Sequence, residues 1–363
     1  MKVAALAYIR IGNQSVPADA ISLRELVLKG VGTTYDSNIS KYSFSDFDFS
    51  QLKSAYYTRT GKSFEDSDYE SFGLVSDDGK LTYAGALLAN DSPIKQSRLF
   101  CTRWNGLDKA SGVIDALDDE EFSGSLVFLL QEGLRFISRN SKKMWKKTGD
   151  NRINMPDYPA RSYTEGLVNG LIHRNYLELG SEVHIDMFDD RLEIYSPGGM
   201  YDGTLVQNDD IYKVPSKRRN PVIADIFDRL NYMERRGSGF KKIIDDYKRQ
   251  HFYTDTMMPE FYSNKGTFIL TLMNLNYEKV ATKSGDKKVA TKTGDKKITQ
   301  KTAMHYKAIL EYMSDGREYR LDEIIPVVGV KVSRAKVLMN GLVEQGKVTT
   351  IGANRDRRYK KIT

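Results

Sequence analysis

The stretch S-Y-T-E-G-L-V-N-G-L-I-H-R, from Ser162 to Arg174, decides how the rest of the chain is interpreted. Helical spacing places Glu165, Asn169 and His173 in one row, at i, i+4 and i+8. Large apolar residues cover most of the remaining circumference, and two glycines four residues apart allow a neighbouring element to approach closely. These residues are Leu167, Val168, Leu171 and Ile172, with Gly166 and Gly170. A helix that is apolar nearly all round is a buried helix, and a polar row on it is costly unless partnered, so the row marks a candidate site.

Two other interpretations of the same stretch stay open on the residues alone. Ser162-x-x-Glu165 is also a capping box, in which the glutamate only closes the start of the helix. His173 and Arg174, near the end of the helix, can simply complement its dipole. Polar groups in unusual surroundings mark functional sites only statistically, so the neighbouring motifs must distinguish site from scaffold.

Length and composition limit the class of protein. The chain has 363 residues, which predicts two or three domains, and its 40% hydrophobic and 28% charged residues are typical of soluble globular proteins. Cys101 is the single cysteine, so an internal disulfide is excluded, and no Cys/His cluster has zinc spacing. No segment approaches membrane-spanning length, and the N-terminal apolar run is too short for a signal peptide. We therefore expect a cytoplasmic protein with no membrane partner.

The net charge of +7 is unevenly distributed along the chain. Residues 279–302 carry eight lysines against two aspartates, a balance of +6, and residues 303–363 carry +5. The part before residue 279 is consequently acidic, at −4. A polyanion is expected to meet the last quarter of the chain first.

Glycine-containing motifs follow the central stretch in a fixed order. Two alternating runs, E-V-H-I-D-M-F and R-L-E-I-Y-S-P, predict an antiparallel hairpin that continues into Ser196-Pro197-Gly198-Gly199. A long loop ends in S-K-R-R-N-P, and Pro221 opens the next helix. Gly237-Ser238-Gly239 then leads directly into another helix, where backbone N–H groups and the helix dipole can face an anion. Each motif alone is common, and their order is more specific.

In this order, E-G-L-V-N-G-L-I-H-R-N-Y, D-D-R-L-E-I-Y-S-P-G-G, R-R-N-P-V-I-A-D-I-F and E-R-R-G-S-G resemble a family of bacterial transcriptional regulators related to the RecG helicase C-terminus. The resemblance covers residues 97–275 and implies a divergent GHKL ATPase fold, that of gyrase, MutL and histidine kinases. Members normally start with a Schlafen-type AlbA-like domain, and Y-I-R-I-G near the start of this chain resembles its last strand. Only that end of the domain is expected here.

The resemblance also implies roles for individual residues. Asn169 matches the asparagine that holds Mg²⁺ through the nucleotide phosphates, and Glu165 matches the glutamate that activates water. Both roles suit the residue types, since Mg²⁺ prefers oxygen ligands and a carboxylate can accept a proton. ATP and Mg²⁺ are thus the expected cofactors. The other residues expected to bind the nucleotide are His173, Gly198, Gly199, Gly237, Ser238 and Gly239.

The chain departs from the family pattern at one position that matters for specificity. Ser196 and Pro197 stand where the adenine-reading aspartate of the D-x-G-x-G motif is expected. A purine is best distinguished by a buried group paired with its exocyclic substituent. The sequence therefore predicts weak selection for adenine over guanine.

The last quarter of the chain contains a linker and a small module. Residues 279–296 hold a nonapeptide repeat, K-V-A-T-K-S-G-D-K followed by K-V-A-T-K-T-G-D-K, which predicts a mobile, lysine-rich linker. Amphipathic patterns predict three helices, at 303–313, 321–328 and 332–345, and two strands around a basic tip then follow. Helix, helix, helix and hairpin is the order of a winged helix-turn-helix, which this segment resembles.

Double-stranded DNA is the expected partner of this module. The third helix is predicted to bury Val332, Ala335, Leu338, Met339 and Leu342. Its opposite face and the basic tip supply the predicted DNA contacts, which are Ser333, Arg334, Lys336, Asn340, Arg355, Arg357 and Arg358. The alternative is a winged helix used for protein contacts.

Together these patterns predict an α+β protein with a GHKL-like α/β sandwich and a C-terminal winged helix. The predicted parts are an AlbA-like remnant at 1–30, a helical connecting region at 31–96, the GHKL-like domain at 97–278, the linker at 279–302 and the winged helix at 303–363. The leading hypothesis is a nucleotide-responsive, DNA-binding transcriptional regulator. The alternatives are a Mg²⁺-dependent ATPase acting on DNA and a scaffold with a degenerate pocket. Helicase action is disfavoured, because no G-x-x-x-x-G-K-[ST] loop occurs; a homodimer is one option for the assembly.

Overall fold

The chain forms two compact units, Met1–Asp286 and Lys287–Thr363. The computed structural model describes residues 7–11, 14–109, 114–233, 239–277, 300–330, 332–344, 347–351 and 358–362. The lysine-rich repeat that was predicted as a linker lies outside the described residues, and the division into five parts stays a prediction. No helix within the described ranges is long and apolar enough to cross a membrane.

The first unit opens with short elements that pair locally. Its first strands and helices are β1 Tyr8–Ile11, β2 Gln14–Pro17, α1 Ala20–Gly30, β3 Ile39–Ser43, α2 Ser50–Thr60, α3 Asp66–Ser71, β4 Lys80–Thr82 and α4 Tyr83–Leu88. β1 pairs with β2 and β3 pairs with β4, both antiparallel. The region predicted as helical connections at 31–96 therefore contains a strand pair in addition to its helices.

A six-stranded mixed sheet forms the centre of the first unit. The strands that follow α4 are β5 Arg98–Trp104, β6 Ala116–Ser123, β7 Lys143–Thr148, β8 Asn151–Pro156, β9 Val183–Met187, β10 Arg191–Pro197, β11 Glu260–Ser263 and β12 Thr267–Met273. The sheet order is β11-β12-β10-β9-β5-β6, in which β5 and β9 run parallel and the other neighbours run antiparallel. β7 and β8 pair with each other as a separate antiparallel hairpin outside this sheet.

Two helices, α5 Leu126–Arg139 and α6 Ala160–Ile172, pack on one face of this sheet. Two further helices of the first unit are α7 Pro221–Arg229 and α8 Gly239–Lys248. α6 packs against α5, α8 and the sheet, and its large apolar residues are fully buried as predicted. A Cβ at Gly166 would overlap with the Leu270 side chain of β12, so the glycine row does allow a close approach to the sheet. The expected α+β class with a central sheet and a helical layer is confirmed.

The second unit consists of three helices and a small sheet. Its elements are α9 Gln300–Tyr312, β13 Glu318–Tyr319, α10 Leu321–Val328, α11 Val332–Glu344, β14 Val348–Ile351 and β15 Arg358–Lys361. The sheet order is β13-β15-β14, so the predicted hairpin gains a third strand that the sequence patterns did not indicate. Four of the five residues predicted to be buried on the third helix are buried, but Val332 is 53% exposed because it is the first residue of α11.

Candidate functional site

Helix α6 starts earlier than the sequence motif suggested, and this rules out the capping box. Pro159 is the N-cap residue and provides no side-chain cap, so Ser162 lies inside the helix. The Ser162 hydroxyl oxygen lies 3.3 Å from the backbone oxygen of Ile243 and 3.1 Å from Oδ2 of Asp246, and these two acceptors share its single proton. Ser162 thus connects α6 to α8, and the interpretation of Glu165 as a capping residue is wrong.

The polar row on α6 faces a cavity. Glu165, Asn169 and His173 all line it, and it contains about 880 Å³ of space free of protein atoms, part of it open to solvent. The predicted residues Gly198, Gly199 and Gly239 line the same cavity, as does Ser196. Gly237 and Ser238 lie outside the described residues. Folding therefore brings all the described residues of the predicted nucleotide site to one place.

The first residue of α8 approaches the polar row closely. A Cβ at Gly239 would lie 2.8 Å from Oε1 of Glu165 and 3.2 Å from Nδ2 of Asn169, so a side chain at this position would collide with the row. The N-terminal end of α8 is thus directed at the cavity. The N–H groups and dipole of a helix start favour an anion there.

Gly198 and Gly199 shape the wall of the cavity and do not offer free N–H groups. The N–H of Gly198 donates to Gly266 O at 2.9 Å, and that of Gly199 donates to Lys265 O at 3.2 Å. Gly198 has φ +93°, a conformation that favours glycine, and a Cβ there would lie 2.6 Å from Asn175 Cβ. A Cβ at Gly199 would overlap with the carbonyl oxygen of Asn264. Both glycines are therefore required by the turn and by its packing.

Ser196 occupies the position where an adenine-reading aspartate was expected. It lies near the end of β10, is 4% exposed, and its hydroxyl donates to Gly170 O at 2.7 Å. The only hydroxyl proton of Ser196 is thus used within the protein. Towards the cavity, Ser196 can act only as a hydrogen-bond acceptor.

His173 closes α6 as its C-cap residue, and its backbone N–H donates to Asn169 O at 2.9 Å. Burial, followed by the charges of Arg219 and Arg218, lowers the pKa of the imidazole from 6.5 to about 4. His173 is therefore neutral at physiological pH and does not complement the helix dipole as a cation. A neutral imidazole can both donate and accept a hydrogen bond in the cavity.

Arg219 is a cavity residue that the sequence patterns did not single out. Its Nη1 donates to His173 O at 2.7 Å and its Nη2 donates to Gly199 O at 2.9 Å, while its Nε is buried without a hydrogen-bond partner. Among the described residues, no carboxylate lies within ion-pair distance of this guanidinium. The sequence feature that could have indicated Arg219 is the run of cations in S-K-R-R-N-P. It was not used because cations in a loop usually face solvent.

Apolar side chains form the remaining walls of the cavity. Phe240 stacks on Phe268 with ring centroids 6.0 Å apart, and it contacts Phe261 at 4.7 Å. The other apolar lining residues are Met200, Tyr201, Val214, Pro215 and Met233. Such residues are indistinguishable from core residues in a sequence pattern, which is why they were missed. The combination of apolar walls and a few convergent polar groups is typical of small-molecule sites.

The predicted DNA contacts of the second unit are only partly described. Lys336 and Asn340 are exposed on α11, and Arg358 is exposed on β15 with its Nη1 3.8 Å from Oε2 of Glu318. The side chains of Ser333 and Arg334, and the whole of Arg355 and Arg357, lie outside the described residues.

The candidate metal ligand Asn169 lies in the cavity together with the carboxylate of Glu165. Within the described parts of the chain, no group of three or more His, Cys, Asp or Glu side chains is arranged to hold a metal ion.

Comparison with known proteins finds a family match within the first unit. Residues 180–272 match the family described as "Putative ATP-dependent DNA helicase recG C-terminal". The match includes β9 to β12, α7 and α8, and it begins after α6. A domain related to the RecG-type ATPase family is thus present, and such a family suggests nucleotide binding. No significant match was found among curated proteins.

A solved structure has a similar fold. It is the DIP2311 protein from Corynebacterium diphtheriae, with a TM-score of 0.55 and 14% sequence identity, over 98% of this chain and 70% of that chain. At this identity the likeness concerns the fold alone.

Proposed function

We propose that the chain is a nucleotide-responsive, DNA-binding transcriptional regulator, with a nucleotide site in the first unit and a DNA-binding winged helix in the second. The observation that carries this proposal is the convergence of Glu165, Asn169 and the start of α8 on one cavity. This cavity belongs to the unit in which residues 180–272 match a RecG-related ATPase family.

The residues around the cavity fit a nucleotide with Mg²⁺. Asn169 would supply an oxygen ligand to the ion, and Mg²⁺ typically takes its remaining ligands from phosphates and water, which suits a site poor in carboxylates. The start of α8 would face the phosphates. Phe240, Phe268 and the other apolar walls would hold the base, and Ser196 would accept a hydrogen bond from an exocyclic amino group. Bound Mg²⁺ would neutralise phosphate charge.

Calorimetric titration of the full chain with a non-hydrolysable ATP analogue tests the nucleotide site. With Mg²⁺ present, we expect saturable binding of one nucleotide per chain, and weaker binding when EDTA removes the ion. No binding up to millimolar nucleotide would overturn this proposal and favour a scaffold with an empty pocket.

The DNA-binding half of the proposal is supported by element order and charge. Three helices are followed by the hairpin β14–β15, which is part of the small sheet, and this is the order of elements in a winged helix. Lys336, Asn340 and Arg358 are exposed. Residues 279–363 together carry +11, whereas the preceding part carries −4. We therefore expect duplex DNA to bind through residues 279–363.

Titration of labelled duplexes at several salt concentrations tests this half. Replacing Arg355, Arg357 and Arg358 by glutamine should weaken binding to all sequences and lower the slope of log affinity against log salt by about 3 if each contacts one phosphate. Changing Arg334 or Asn340 should instead alter the preference among sequences. Salt-insensitive or absent duplex binding would make the module a protein-contact domain.

A second candidate function is Mg²⁺-dependent ATP hydrolysis. The specific observation is that Glu165 lies one helical turn from Asn169 and against the start of α8, where a carboxylate can accept a proton from water. Glu165→Gln should keep nucleotide affinity and lose any phosphate release, which a malachite green assay measures with and without duplex DNA. Equal phosphate release by wild type and variant would exclude this role.

A further inference from the structure

The hairpin β7–β8 projects a two-stranded ribbon from the first unit. Its strands pair in register from Lys143 opposite Pro156 to Thr148 opposite Asn151. Its base is held firmly, because Lys142 N donates to Oδ2 of Asp157 at 2.8 Å and Asp157 N donates to Lys142 O at 3.1 Å. The ribbon is thus a positioned structural element of the protein, with an exposed outer end.

One face of this ribbon alternates cations with an aromatic ring. Side chains at every second position of a strand share a face, so Lys143, Trp145 and Lys147 lie together with Asn154 and Arg152, which pair opposite Trp145 and Lys147. Trp145 is 56% exposed, although tryptophan is highly buried on average. The guanidinium of Arg152 lies over its ring at 5.2 Å from the centroid and donates from Nε to Asn154 at 2.8 Å.

The ribbon is strongly cationic within an acidic part of the chain. Residues 142–156 contain five Lys or Arg residues and one Asp, whereas the chain before residue 279 has a net charge of −4. None of these five cations forms an ion pair with a carboxylate of the described residues. Lys143 instead donates to the hydroxyl of Ser138 at 2.9 Å. The ribbon therefore carries positive charge that the described part of the chain does not neutralise, and Lys143, Lys147 and Arg152 place three of the five cations on the Trp145 face.

We propose that the Lys143–Trp145–Lys147 face of the ribbon binds single-stranded DNA. A base would stack on Trp145, and the adjoining phosphates would contact Lys143, Lys147 and Arg152. Residues two apart on a strand are separated by about 7 Å, so each lysine is placed to one side of a base stacked on the ring between them. An exposed aromatic ring flanked by cations is the arrangement that binds single strands without sequence preference.

Single-stranded DNA fits this face better than a duplex does. In a duplex the face of every internal base is covered by its neighbours, so the ring of Trp145 would gain no stacking partner. We expect the bound single strand to be DNA and not RNA. This expectation rests on the proposal that the second unit binds duplex DNA, which supplies single strands where it opens. Single-strand binding by the ribbon is independent of nucleotide binding in the cavity, so disproving one of them does not disprove the other.

Tryptophan fluorescence provides a local test on the full chain. Trp104 and Trp145 are the only tryptophans, so a Trp104→Phe variant reports Trp145 alone. Adding a twelve-residue oligo(dT) should quench its emission in a saturable manner, whereas binding of DNA to the second unit alone should not. A circular dichroism melt equal to that of the wild type would confirm that Trp104→Phe leaves the fold intact.

Two sets of variants test the stacking and the phosphate contacts. Trp145→Ala should lower oligo(dT) affinity about 5- to 100-fold in an anisotropy assay, and Tyr57→Ala, which removes a similarly exposed ring of the same unit, should change it less than twofold. The triple variant Lys143→Gln, Lys147→Gln, Arg152→Gln should lower the slope of log affinity against log salt by about 2. The matched control, Lys41→Gln with Lys62→Gln and Lys95→Gln, removes three exposed cations of the same unit and should leave that slope unchanged.

Specific outcomes would overturn the proposal. They are the absence of quenching by oligo(dT), equal quenching by a duplex of the same length, tighter binding of oligo(U) than of oligo(dT), or equal effects of the ribbon and control variants. The last outcome would show that the ribbon is a solvated surface and that nonspecific charge explains the binding.

Discussion

Helices α6 and α11 are both thirteen residues long, yet they place polar side chains in opposite surroundings. Each buries an apolar stripe, and each carries an asparagine four residues after a charged residue, Glu165 and Asn169 on α6 and Lys336 and Asn340 on α11. On α6 this row lines a concave cavity, whereas on α11 it lies on the exposed surface. The spacing of polar residues along a helix therefore does not predict whether they line a cavity for a small ligand or lie on a surface that can contact a macromolecule.

The difference follows from what packs against each helix. The sheet, α5 and α8 pack against α6, and its polar row lines the cavity next to the start of α8. α11 packs against α9, α10 and β14, which cover only its apolar stripe. Electrostatic contacts are stronger where water is excluded, so single residues should matter more on α6 than on α11.

The largest expected effect concerns the two asparagines. Asn169→Ala should lower affinity for the Mg²⁺-bound ATP analogue at least 100-fold in calorimetry, because it removes an oxygen ligand from a cavity with few others. Asn340→Ala is the matched control and should leave nucleotide affinity unchanged while altering DNA sequence preference. Equal nucleotide affinity in the Asn169 variant and the wild type would show that the polar row of α6 does not bind nucleotide and that α6 is a structural helix.

The next effect concerns the pH dependence of stability. The pKa of His173 is lowered from 6.5 to about 4 in the folded protein, so the unfolded chain takes up a proton first as the pH falls. Stability from this residue is complete above pH 6.5 and is lost progressively down to pH 4, by up to about 3 kcal/mol. His173→Gln should lack this loss in urea titrations at pH 7 and pH 4. A parallel decline in both proteins would contradict the burial of the imidazole.

A glycine on each helix gives the third comparison. Gly166→Ala should destabilise the first unit by about 1–3 kcal/mol, because the new methyl overlaps with the buried side chain of Leu270. Gly341→Ala would overlap with the hydroxyl of Tyr306 and lie 3.1 Å from its Cζ, so the ring must turn outwards. Because Tyr306 is only partly buried, this should cost less than the overlap at Gly166, and the gain of about 0.5–1 kcal/mol in helix propensity should offset part of the cost. Thermal melts of the two variants against the wild type measure both, and equal destabilisation would show that α11 is as tightly enclosed as α6.

The smallest expected effect is on purine selection. Ser196 has already donated its proton to Gly170 and offers only an acceptor to the cavity, so a competition assay should find ATP preferred over GTP by less than about tenfold. Ser196→Asp should raise that preference if a carboxylate can replace the hydroxyl at this place. A strong ATP preference in the wild type would mean that another residue reads the base.

Much of the arrangement of α6 was predictable, because burial follows directly from periodicity. The apolar stripe, the polar row and the two glycines behave as the helical spacing indicated, and the helix–helix–helix–hairpin order of the second unit follows from the same patterns. The exact start of α6 was not predictable, since Ser162 and Glu165 satisfy the capping-box spacing equally well. The start of α6 at Pro159 and the contact of Ser162 with Asp246, far away along the chain, exclude that cap.

The sequence by itself determined the α+β class, the buried α6 and the charge asymmetry between the two ends of the chain, since these depend on local spacing and composition. Tertiary structure alone decided which residues surround the cavity: Arg219, Phe240 and Phe268 come from separate segments and meet only because of the sheet order. It also decided that the face of the β7–β8 ribbon with Trp145 is exposed. Both the composition of the cavity wall and the exposure of the ribbon face depend on contacts between residues far apart along the chain. A local sequence pattern contains no information on these contacts.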